Sequence, residues 1–295
     1  MKSFLLKSTS VLILFISSMA FAQDFQGKAI YQTKTTLDMD FASSGIPADR
    51  IKMIQERMKS QLEKTFELSF DKVASIYKEE AKLDQSAGGR GGMRFMMMGG
   101  GSSGDYYKNT QTKMAAKENE FSGKNFLIKD ALKTYEWKME QETKMIGQNM
   151  CFKATTVIEV PVRPEFRFGR RNAEQNNKDK AEEEKKEEEK EEAPKMEQII
   201  VTAWYALDIP VSHGPGDFWG LPGLILEVAY GDTNILCTKI VMNPKDKVEI
   251  KEPSKGKVVS QKEYDEIIAE KMKEMQERFR NERQKSGGTH IRIRG

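Results

Sequence analysis

The 295-residue chain is poor in the side chains from which metal sites and nucleophilic centres are commonly built. It has two cysteines, two histidines and three tryptophans. His213 and His290 lie 77 positions apart (290 − 213) and the cysteines show no paired spacing, so the sequence disfavours a structural zinc site. No Gly-x-Ser-x-Gly motif surrounds Ser212, the serine next to His213, so this region does not point to an esterase-type nucleophile.

The chain also lacks a strong net charge and a second long apolar run. Its formal net charge is +3, and loss of Lys2 and Lys7 with an N-terminal leader would leave +1 (3 − 2). This balance gives no net basic field that would recruit nucleic acid. Beyond the N-terminus no uninterrupted apolar run is long enough to cross a bilayer, so we expect no transmembrane segment after leader removal.

Residues 1–22 have the pattern of a secretory signal peptide. Lys2 and Lys7 form a basic region, Val11 to Ile16 an apolar core, and Ala20 to Ala22 a small-x-small cleavage site. Cleavage there would leave 273 residues (295 − 22). We expect the protein to be exported, with a location in the periplasm, at the outer membrane or in the medium.

Short alternating segments rich in Val, Ile, Tyr, Phe and Thr recur along residues 23–259, bounded by Gly, Asn and Asp. This spacing predicts a single, mainly β domain with an antiparallel sheet, arranged as a barrel, half-barrel or sandwich. Hairpin turns are expected at Asp71-Lys72 and around 231–234. The predicted strands are 27–37, 65–70, 73–78, 113–120, 125–129, 149–160, 198–209, 224–230 and 235–242.

Three inserts interrupt the strand pattern. Residues 44–64 carry apolar positions at helical spacing, which predicts an amphipathic helix packed on the sheet. Residues 86–104 are rich in Gly and Met and predict a disordered loop. Residues 163–197 contain a Lys/Glu run without an apolar face, which predicts a solvated spacer, with partner docking as the alternative. The apolar positions of the helical insert are Ile51, Ile54, Met58 and Leu62.

The last part of the chain predicts a helix over residues 260–285. Ser260 and Glu263 match the two ends of a capping box, and an apolar stripe at helical spacing follows. The tail of residues 286–295 is short, basic and expected to be flexible. The stripe consists of Tyr264, Ile267, Ile268, Met272, Met275 and Phe279.

Cys151 and Cys237 both fall in predicted strands. In an exported protein two cysteines most simply form one disulfide. Cys151 shares parity with Lys153, and Cys237 shares parity with Lys239, so matching polar faces are consistent with a bridge between the two. Two buried free thiols are the alternative.

Residues 201–230 stand apart because Trp, Tyr, Gly and Pro are concentrated there. Pro210 ends the preceding strand, and two turns follow at 213–216 and 220–223, where Gly permits positive φ and Pro fixes its own φ. Aromatic residues beside these turns are expected to cover an apolar interior. The predicted turn motif consists of Gly214, Pro215, Gly220, Leu221, Pro222, Gly223, Leu224 and Ile225.

The hexapeptide from Gly220 to Ile225 reads GLPGLI, and further motifs precede it along the chain. They are Gly27 to Tyr31, Asp105 to Asn109, Phe126 to Asp130, Trp137-Lys138, Thr143 to Gly147, Cys151 to Ala154, Ala203 to Tyr205, Ile209-Pro210 and Gly214-Pro215. With these motifs the sequence resembles the GLPGLI family of exported bacterial proteins over most of the mature chain. The resemblance implies a β-rich protein of the Gram-negative envelope with no settled biochemical activity.

A hydrolytic centre is one chemical interpretation of this region. Asp208, His213 and Asp217 fall within ten residues, and a histidine near a carboxylate can act as a general base. Ser212 is adjacent to the histidine in sequence and poorly placed to be its nucleophile. A turn histidine held by a backbone carbonyl is the alternative.

A copper site is a second chemical interpretation. Soft thioethers suit Cu(I), and several methionines cluster in the Gly-rich insert. A biased insert without any ligand is the alternative. The candidate ligands are Met93, Met96, Met97 and Met98.

Taken together, these patterns predict a non-enzymatic envelope protein without a bound cofactor. It would offer a surface to an apolar ligand, a peptide or a partner protein. Copper handling is the alternative and hydrolysis the weaker one, and a fourth interpretation makes the turn motif a folding device that sets strand register. The candidate surface consists of Trp204, Tyr205, His213, Phe218 and Trp219.

Overall fold

The computed structural model describes residues 25–36, 47, 49–53, 56, 62–80, 103–161 and 196–286. The predicted signal peptide, the methionine cluster at 93–98 and the tail after residue 286 lie outside these residues. Within them the chain is mainly β, as predicted. The strands are β1 (Gly27–Thr35), β2 (Glu63–Phe70), β3 (Ala74–Glu79), β4 (Ser103–Asn109), β5 (Met114–Phe121), β6 (Lys124–Ala131), β7 (Lys138–Ile146), β8 (Asn149–Pro161), β9 (Met196–Ala206), β10 (Leu224–Tyr230), β11 (Thr233–Met242) and β12 (Lys257–Val259), and the C-terminal helix is α1 (Gln261–Ser286).

The chain divides into two compact units. The first comprises Met1–Lys28, Glu67–Lys133 and Val241–Gly295, and the second comprises Ala29–Phe66 and Thr134–Ile240. The organisation of residues 23–259 as a single domain stays a prediction.

The first unit is a sheet with apolar residues on both faces. Its strand order is β12-β6-β5-β4-β3-β2, antiparallel from β3 to β6 and parallel between β6 and β12. Because neighbouring residues of a strand point to opposite faces, Leu127 and Phe126 belong to different clusters. One cluster consists of Ala74, Tyr107, Ala116 and Leu127 with Ile76 and Ile250 packed on it. The other consists of Phe126, Ile128 and Val259 with Phe121, Tyr264 and Ile267 packed on it.

Helix α1 begins where the sequence predicts it. Ser260 and Glu263 form the capping box: the Glu263 carboxylate accepts from the Ser260 backbone N–H at 2.7 Å, and the Glu263 N–H donates to Ser260 Oγ at 3.2 Å. The Tyr264 ring packs edge-on against Phe126, with ring centroids 5.4 Å apart. The apolar stripe predicted for this helix therefore docks its first turns on β6.

The second unit holds the segment rich in Trp, Gly and Pro. Its strand order is β1-β11-β10-β9-β8-β7, and the neighbours from β11 to β7 pair antiparallel. Tyr31 on β1 is fully buried, and its hydroxyl donates to the Ile225 carbonyl oxygen at 2.7 Å. This bond satisfies a buried phenol and ties β1 to the backbone of β10.

Both predicted hairpins form, and in each the turn chemistry is local. Asp71 closes the first turn, because its carboxylate accepts from the N–H groups of Val73 at 2.7 Å and Ala74 at 2.6 Å. The second turn is tighter than the four residues expected, since Tyr230 pairs with Thr233 and Gly231 adopts φ = 49°.

Three strands were not among those predicted, and the insert boundaries need correction. β4 and β7 are rich in polar or charged residues and β12 has only three residues, so none of them shows clear apolar alternation. Residues 63–64, 103–104 and 196–197, which the inserts were expected to contain, belong to β2, β4 and β9. These residues are extended because they have strand partners, as Met196 has in Pro161, and composition does not report a partner.

The inserted helix is present in the residues that the structure describes. Residues 49–53 are helical, and the N–H of Ile51 donates to the Pro47 carbonyl oxygen at 3.1 Å. Ile54 and Met58 lie outside the described residues. No helix within the described ranges is long and apolar enough to cross a membrane.

The capping box generates a stability prediction. Ser260→Ala is expected to lower the free energy of unfolding by about 1 kcal/mol at neutral pH, because it removes the side-chain acceptor of the first helical turn. Hydrogen bonds from Ser260 hold the pKa of Glu263 below its usual value, so the contribution of this pair is present at neutral pH and is lost as the pH falls through that lowered pKa.

Urea unfolding at neutral and acidic pH measures this effect. Ser254→Ala is the matched control, since Ser254 is exposed shortly before the helix, and it should change stability by less than about 0.5 kcal/mol. If Ser260→Ala lowers the free energy of unfolding by no more than Ser254→Ala does, the result would contradict a stabilising role of the capping box.

Candidate functional site

The strand register sorts the second unit into two faces. Lys153 pairs with Trp204, and Trp204 pairs with Glu227, so these three residues of β8, β9 and β10 share one face, here called the outer face. Their neighbours Ala154, Ala203 and Val228 point to the inner face. All three of these small or aliphatic side chains are fully buried, whereas Ile200 on the outer face is 66% exposed. The inner face is therefore the core, and Trp204 lies on the solvent side.

A bulge in β10 decides where Glu227 points. Ile225 pairs with Tyr205 and Glu227 with Trp204, so Leu226 is an extra residue between two consecutive partners. Without this extra residue, alternation would send the Glu227 side chain into the core beside buried aliphatic groups. The bulge instead places the carboxylate on the outer face next to Trp204.

Lys144 of β7 completes the arrangement around Trp204. Its Nζ lies 2.6 Å from Glu227 Oε2 and 4.3 Å from the centroid of the Trp204 ring. The Glu227 side chain is 15% exposed and that of Lys144 34% exposed, so the ion pair is partly shielded from water. The ammonium contacts the negative face of the indole and a carboxylate at once, which holds the indole in one orientation.

A second polar cluster lies beside Trp204. The strand irregularity in β7 leaves Glu140 to Glu142 opposite the single residue Lys153. Lys153 Nζ lies 3.1 Å from Glu140 and 2.9 Å from Glu142, and Thr155 Oγ1 donates to Glu140 at 2.8 Å. Hydrogen bonds from Thr155 and Lys153 lower the pKa of Glu140, and those to Glu142 and Glu140 raise the pKa of Lys153. Glu140 and Lys153 are therefore charged at neutral pH.

The connection between β9 and β10 carries the predicted turn motif and is held by its own backbone. The N–H of Leu224 donates to the Ile209 carbonyl at 2.9 Å, and the N–H of Ile225 donates to the His213 carbonyl at 3.0 Å. A Cβ on Gly214 would lie 2.8 Å from the Ile225 side chain. A Cβ on Gly223 would lie against the Ala206 backbone, 2.6 Å from its carbonyl carbon. Gly is therefore required at both positions for close approach.

The predicted ligand surface does not come together as one patch. Tyr205, His213 and Phe218 are buried, at 4%, 0% and 7% exposure. Trp204 and Trp219 are the two members that are half-buried. The surface predicted around all five aromatic and histidine residues is thus divided between the core and two separate tryptophans.

Trp219 belongs to an aromatic cluster that fixes the turns. Trp137 Nε1 donates to the Trp219 carbonyl oxygen at 2.9 Å. Tyr135 stacks at a tilt on Trp137 and on Phe218, with ring centroids 5.5 and 5.4 Å apart, and Phe218 lies 5.6 Å from the Tyr230 ring. Burial, followed by the nearby Asp217, raises the pKa of the Tyr135 hydroxyl, which therefore stays protonated. Phe218 and its neighbours cap the apolar interior, as the sequence analysis expected.

The histidine of the hydrolytic interpretation is not accessible as a base. The His213 side chain is fully buried, while Asp208 and Asp217 are exposed. A general base must reach a proton on its substrate, and water does not reach this imidazole. Within the described residues no group of three or more His, Cys, Asp or Glu side chains is arranged to hold a metal ion. Met93, Met96, Met97 and Met98 lie outside those residues.

The predicted disulfide between Cys151 and Cys237 is absent from the structure, where both cysteines are buried free thiols. β9 and β10 lie between their strands. Cys151 is on the outer face, two residues from Lys153, whereas Cys237 follows outer-face Leu236, the partner of Glu227, and points to the inner face. Each cysteine shares parity with a lysine of its own strand, but this does not put the two cysteines on the same face of the sheet. Burial raises the pKa of each thiol to about 11.

The sequence did not predict four residues of this site, namely Lys144, Lys153, Glu140 and Glu227. β7 was not predicted, so its lysine and glutamates had no assigned face. One signal was available, because Glu227 is the only charged residue in the apolar strand LILEVAY. A lone carboxylate in such a strand indicates either that it has a buried partner or that the strand contains a bulge.

Residues 137–227 match the Porph_ging family, described as a protein of unknown function. No curated protein matches the chain. Two structures of PNGF-II, in the C2 and P21 space groups, are similar at a TM-score of 0.46 and 12% sequence identity. The match covers 83% of this chain and 32% or 33% of PNGF-II, so the chain spans about a third of that protein.

The buried thiols generate a reactivity prediction. At pH 8 a pKa of about 11 leaves about one thiol in a thousand as thiolate, so the folded protein is expected to react with a disulfide reagent only slowly. Unfolding without a reductant should expose two alkylatable cysteines per chain, counted by intact mass. A mature protein that gains no alkyl groups until it is reduced would show that the cysteines are bridged.

The close approach of Gly223 generates a second prediction. Gly223→Ala is expected to lower the free energy of unfolding by about 3 kcal/mol or to prevent folding, because the added methyl meets backbone that cannot rotate away. Gly216→Ala is the control in the same connection, where φ is +54° and nothing lies within 4 Å of the added Cβ. Its cost should be about 1 kcal/mol, from backbone strain alone. Equal urea unfolding midpoints for Gly223→Ala and Gly216→Ala would contradict the packing role of Gly223.

Proposed function

We propose that this chain is an exported, non-enzymatic binding module of the GLPGLI family and that its contact surface is the outer face around Trp204. The observation that carries the proposal is the placement of a half-buried tryptophan on the solvent side of the sheet, between Lys153 and Glu227 and beneath Lys144. Large aromatic side chains at the centre of a polar rim are typical anchors of binding surfaces.

Two of the charged neighbours of Trp204, Lys153 and Glu227, support a binding role because ion pairs fix them in advance. Lys144 is held by Glu227, and Lys153 by two carboxylates. A surface whose side chains already occupy one arrangement loses less conformational entropy when a partner binds.

The burial of His213 and the exposure of its acidic neighbours support binding over hydrolysis. The paired charges of the outer face likewise contain no nucleophile beside a free base. Copper handling by Met93, Met96, Met97 and Met98 stays a prediction, because those residues are not described by the structure.

Export and family membership rest on the sequence. The pattern of residues 1–22 supports passage through the secretory pathway to the periplasm, the outer membrane or the medium. The match to a family of unknown function over 137–227 supports the GLPGLI assignment, since this range contains the hexapeptide. The same range contains the whole outer-face cluster from Glu140 to Glu227.

Photo-crosslinking in the producing cells tests the proposed surface. A p-benzoylphenylalanine in place of Thr202, two residues from Trp204 on the same face, is expected to form adducts with an envelope component. The control carries p-benzoylphenylalanine in place of Asp232, which is exposed in the turn after β10. This control should form no adducts.

If the yield of adducts depends on Trp204, the adducts report specific binding and not chance proximity. Combining the Thr202 probe with Trp204→Ala should abolish the adducts while leaving the unfolding midpoint high enough for a folded chain at the assay temperature. Adducts of equal yield with and without Trp204, or with the probe at Asp232, would show that the outer face is not the contact surface.

A further inference from the structure

We infer that the outer face binds an uncharged pyranose ring of a glycan, stacked on Trp204 and hydrogen-bonded by Lys153 and Glu227; the inference rests on the proposed function and names its ligand class. A pyranose has an apolar face of C–H groups and a rim of hydroxyl groups. A ligand of this kind needs a flat apolar side chain with donors and acceptors around its edge, and the outer face has that composition.

The arrangement has the right width for one sugar ring. Lys153 and Glu227 stand on the two strands that flank Trp204, so their Cα atoms are about 10 Å apart, twice the inter-strand spacing of about 4.8 Å. Thr202 precedes Trp204 by two residues on the same face and adds a hydroxyl. Ala229 is another near neighbour on this face and has a small side chain, whereas Ala206, on the other side of Trp204, is fully buried.

The charges of the surface favour a neutral ligand. The lysines Lys144 and Lys153 are matched by three carboxylates, those of Glu140, Glu142 and Glu227. An anionic ligand would therefore meet at least as much negative as positive charge. A sugar hydroxyl can donate to a carboxylate and accept from an ammonium in the same place, and hydrogen bonds to ionised groups are the stronger ones.

A peptide added as an extra strand would not reach this tryptophan. Strand addition uses the open edge of a sheet, and in the described part of the second unit that edge is β7. Trp204 lies on β9, two strands further in. A ligand of Trp204 must therefore bind on top of the sheet, where side chains and not backbone groups make the contacts.

Lys144 covers the ring until the ligand arrives. Its Nζ lies 4.3 Å from the indole centroid, over the surface that a sugar would contact. The lysine is partly exposed and joined to the protein by a flexible stem, so it can move aside while it keeps its bond to Glu227. Lys144→Ala is therefore expected to bind glycan as tightly as the unaltered protein or more tightly.

A printed array of bacterial, plant and animal glycans, followed by titration of the strongest oligosaccharide against tryptophan fluorescence, tests the inference. Trp204→Ala is expected to weaken binding by about tenfold or more, as is usual for an aromatic anchor. Trp204→Phe, which keeps an aromatic ring and guards against misfolding, should retain part of the affinity. Trp219→Phe is the matched control and should change it by less than about twofold.

Salt dependence identifies the charge of the ligand. Affinity for the neutral oligosaccharide should stay within about twofold between about 0.05 and 0.5 M salt, whereas an anionic ligand would be released. No array signal above that of Trp204→Ala, a loss of binding in Lys144→Ala, or a steep salt dependence would overturn the inference.

The two proposals fail in different ways. Adducts of the Thr202 probe that contain protein but no glycan would reject the sugar ligand and keep the binding surface. The absence of adducts of any kind would reject the surface itself, and array binding that survives Trp204→Ala would place the sugar site elsewhere on the chain.

Discussion

The extra residue in β10 is the constraint from which the organisation of the second unit follows. Before the bulge, Ile225 faces the core, where its carbonyl accepts from buried Tyr31. After the bulge, Val228 again faces the core, and Glu227 faces solvent beside Trp204. A β-strand changes the face of a side chain only by inserting or deleting a residue, so a single bulge lets one apolar strand present one carboxylate outward.

The Gly- and Pro-rich connection supplies the fixed geometry in which that bulge can form. Gly223 lies against the Ala206 backbone at the entry to β10, and the Ile225 side chain packs where a Cβ of Gly214 would be. The Trp137 bond to the Trp219 carbonyl and the stacked rings of Tyr135 and Phe218 hold the outside of the same connection. The hexapeptide therefore serves packing, in agreement with the structural interpretation of its turns, and the proposed binding surface lies on the strands that it positions.

The function proposed for the outer face depends on the contrast between its two sides. The inner side is closed by residues such as Val201 and Ala203, which water does not reach. The outer side has the opposite character, with paired charges and one indole in place of a packed layer. The charged groups around Trp204 are paired with one another, and such a surface can exchange hydrogen bonds with an uncharged partner without leaving a buried charge unpaired.

The sequence by itself determined the elements whose causes are local. The capping box at Ser260, the Asp71 turn and the alternation that defines most strands depend on residues a few positions apart, and the structure confirms them. Only the tertiary structure decided the features that depend on pairing between distant strands. The polar strand β7 exists because β8 pairs with it, Glu227 faces solvent because one residue of β10 has no partner, and the register across two intervening strands puts Cys151 and Cys237 on different faces. Parity along a single strand cannot show any of these, since the face of a residue is set by hydrogen bonds to chain segments that lie far away in the sequence.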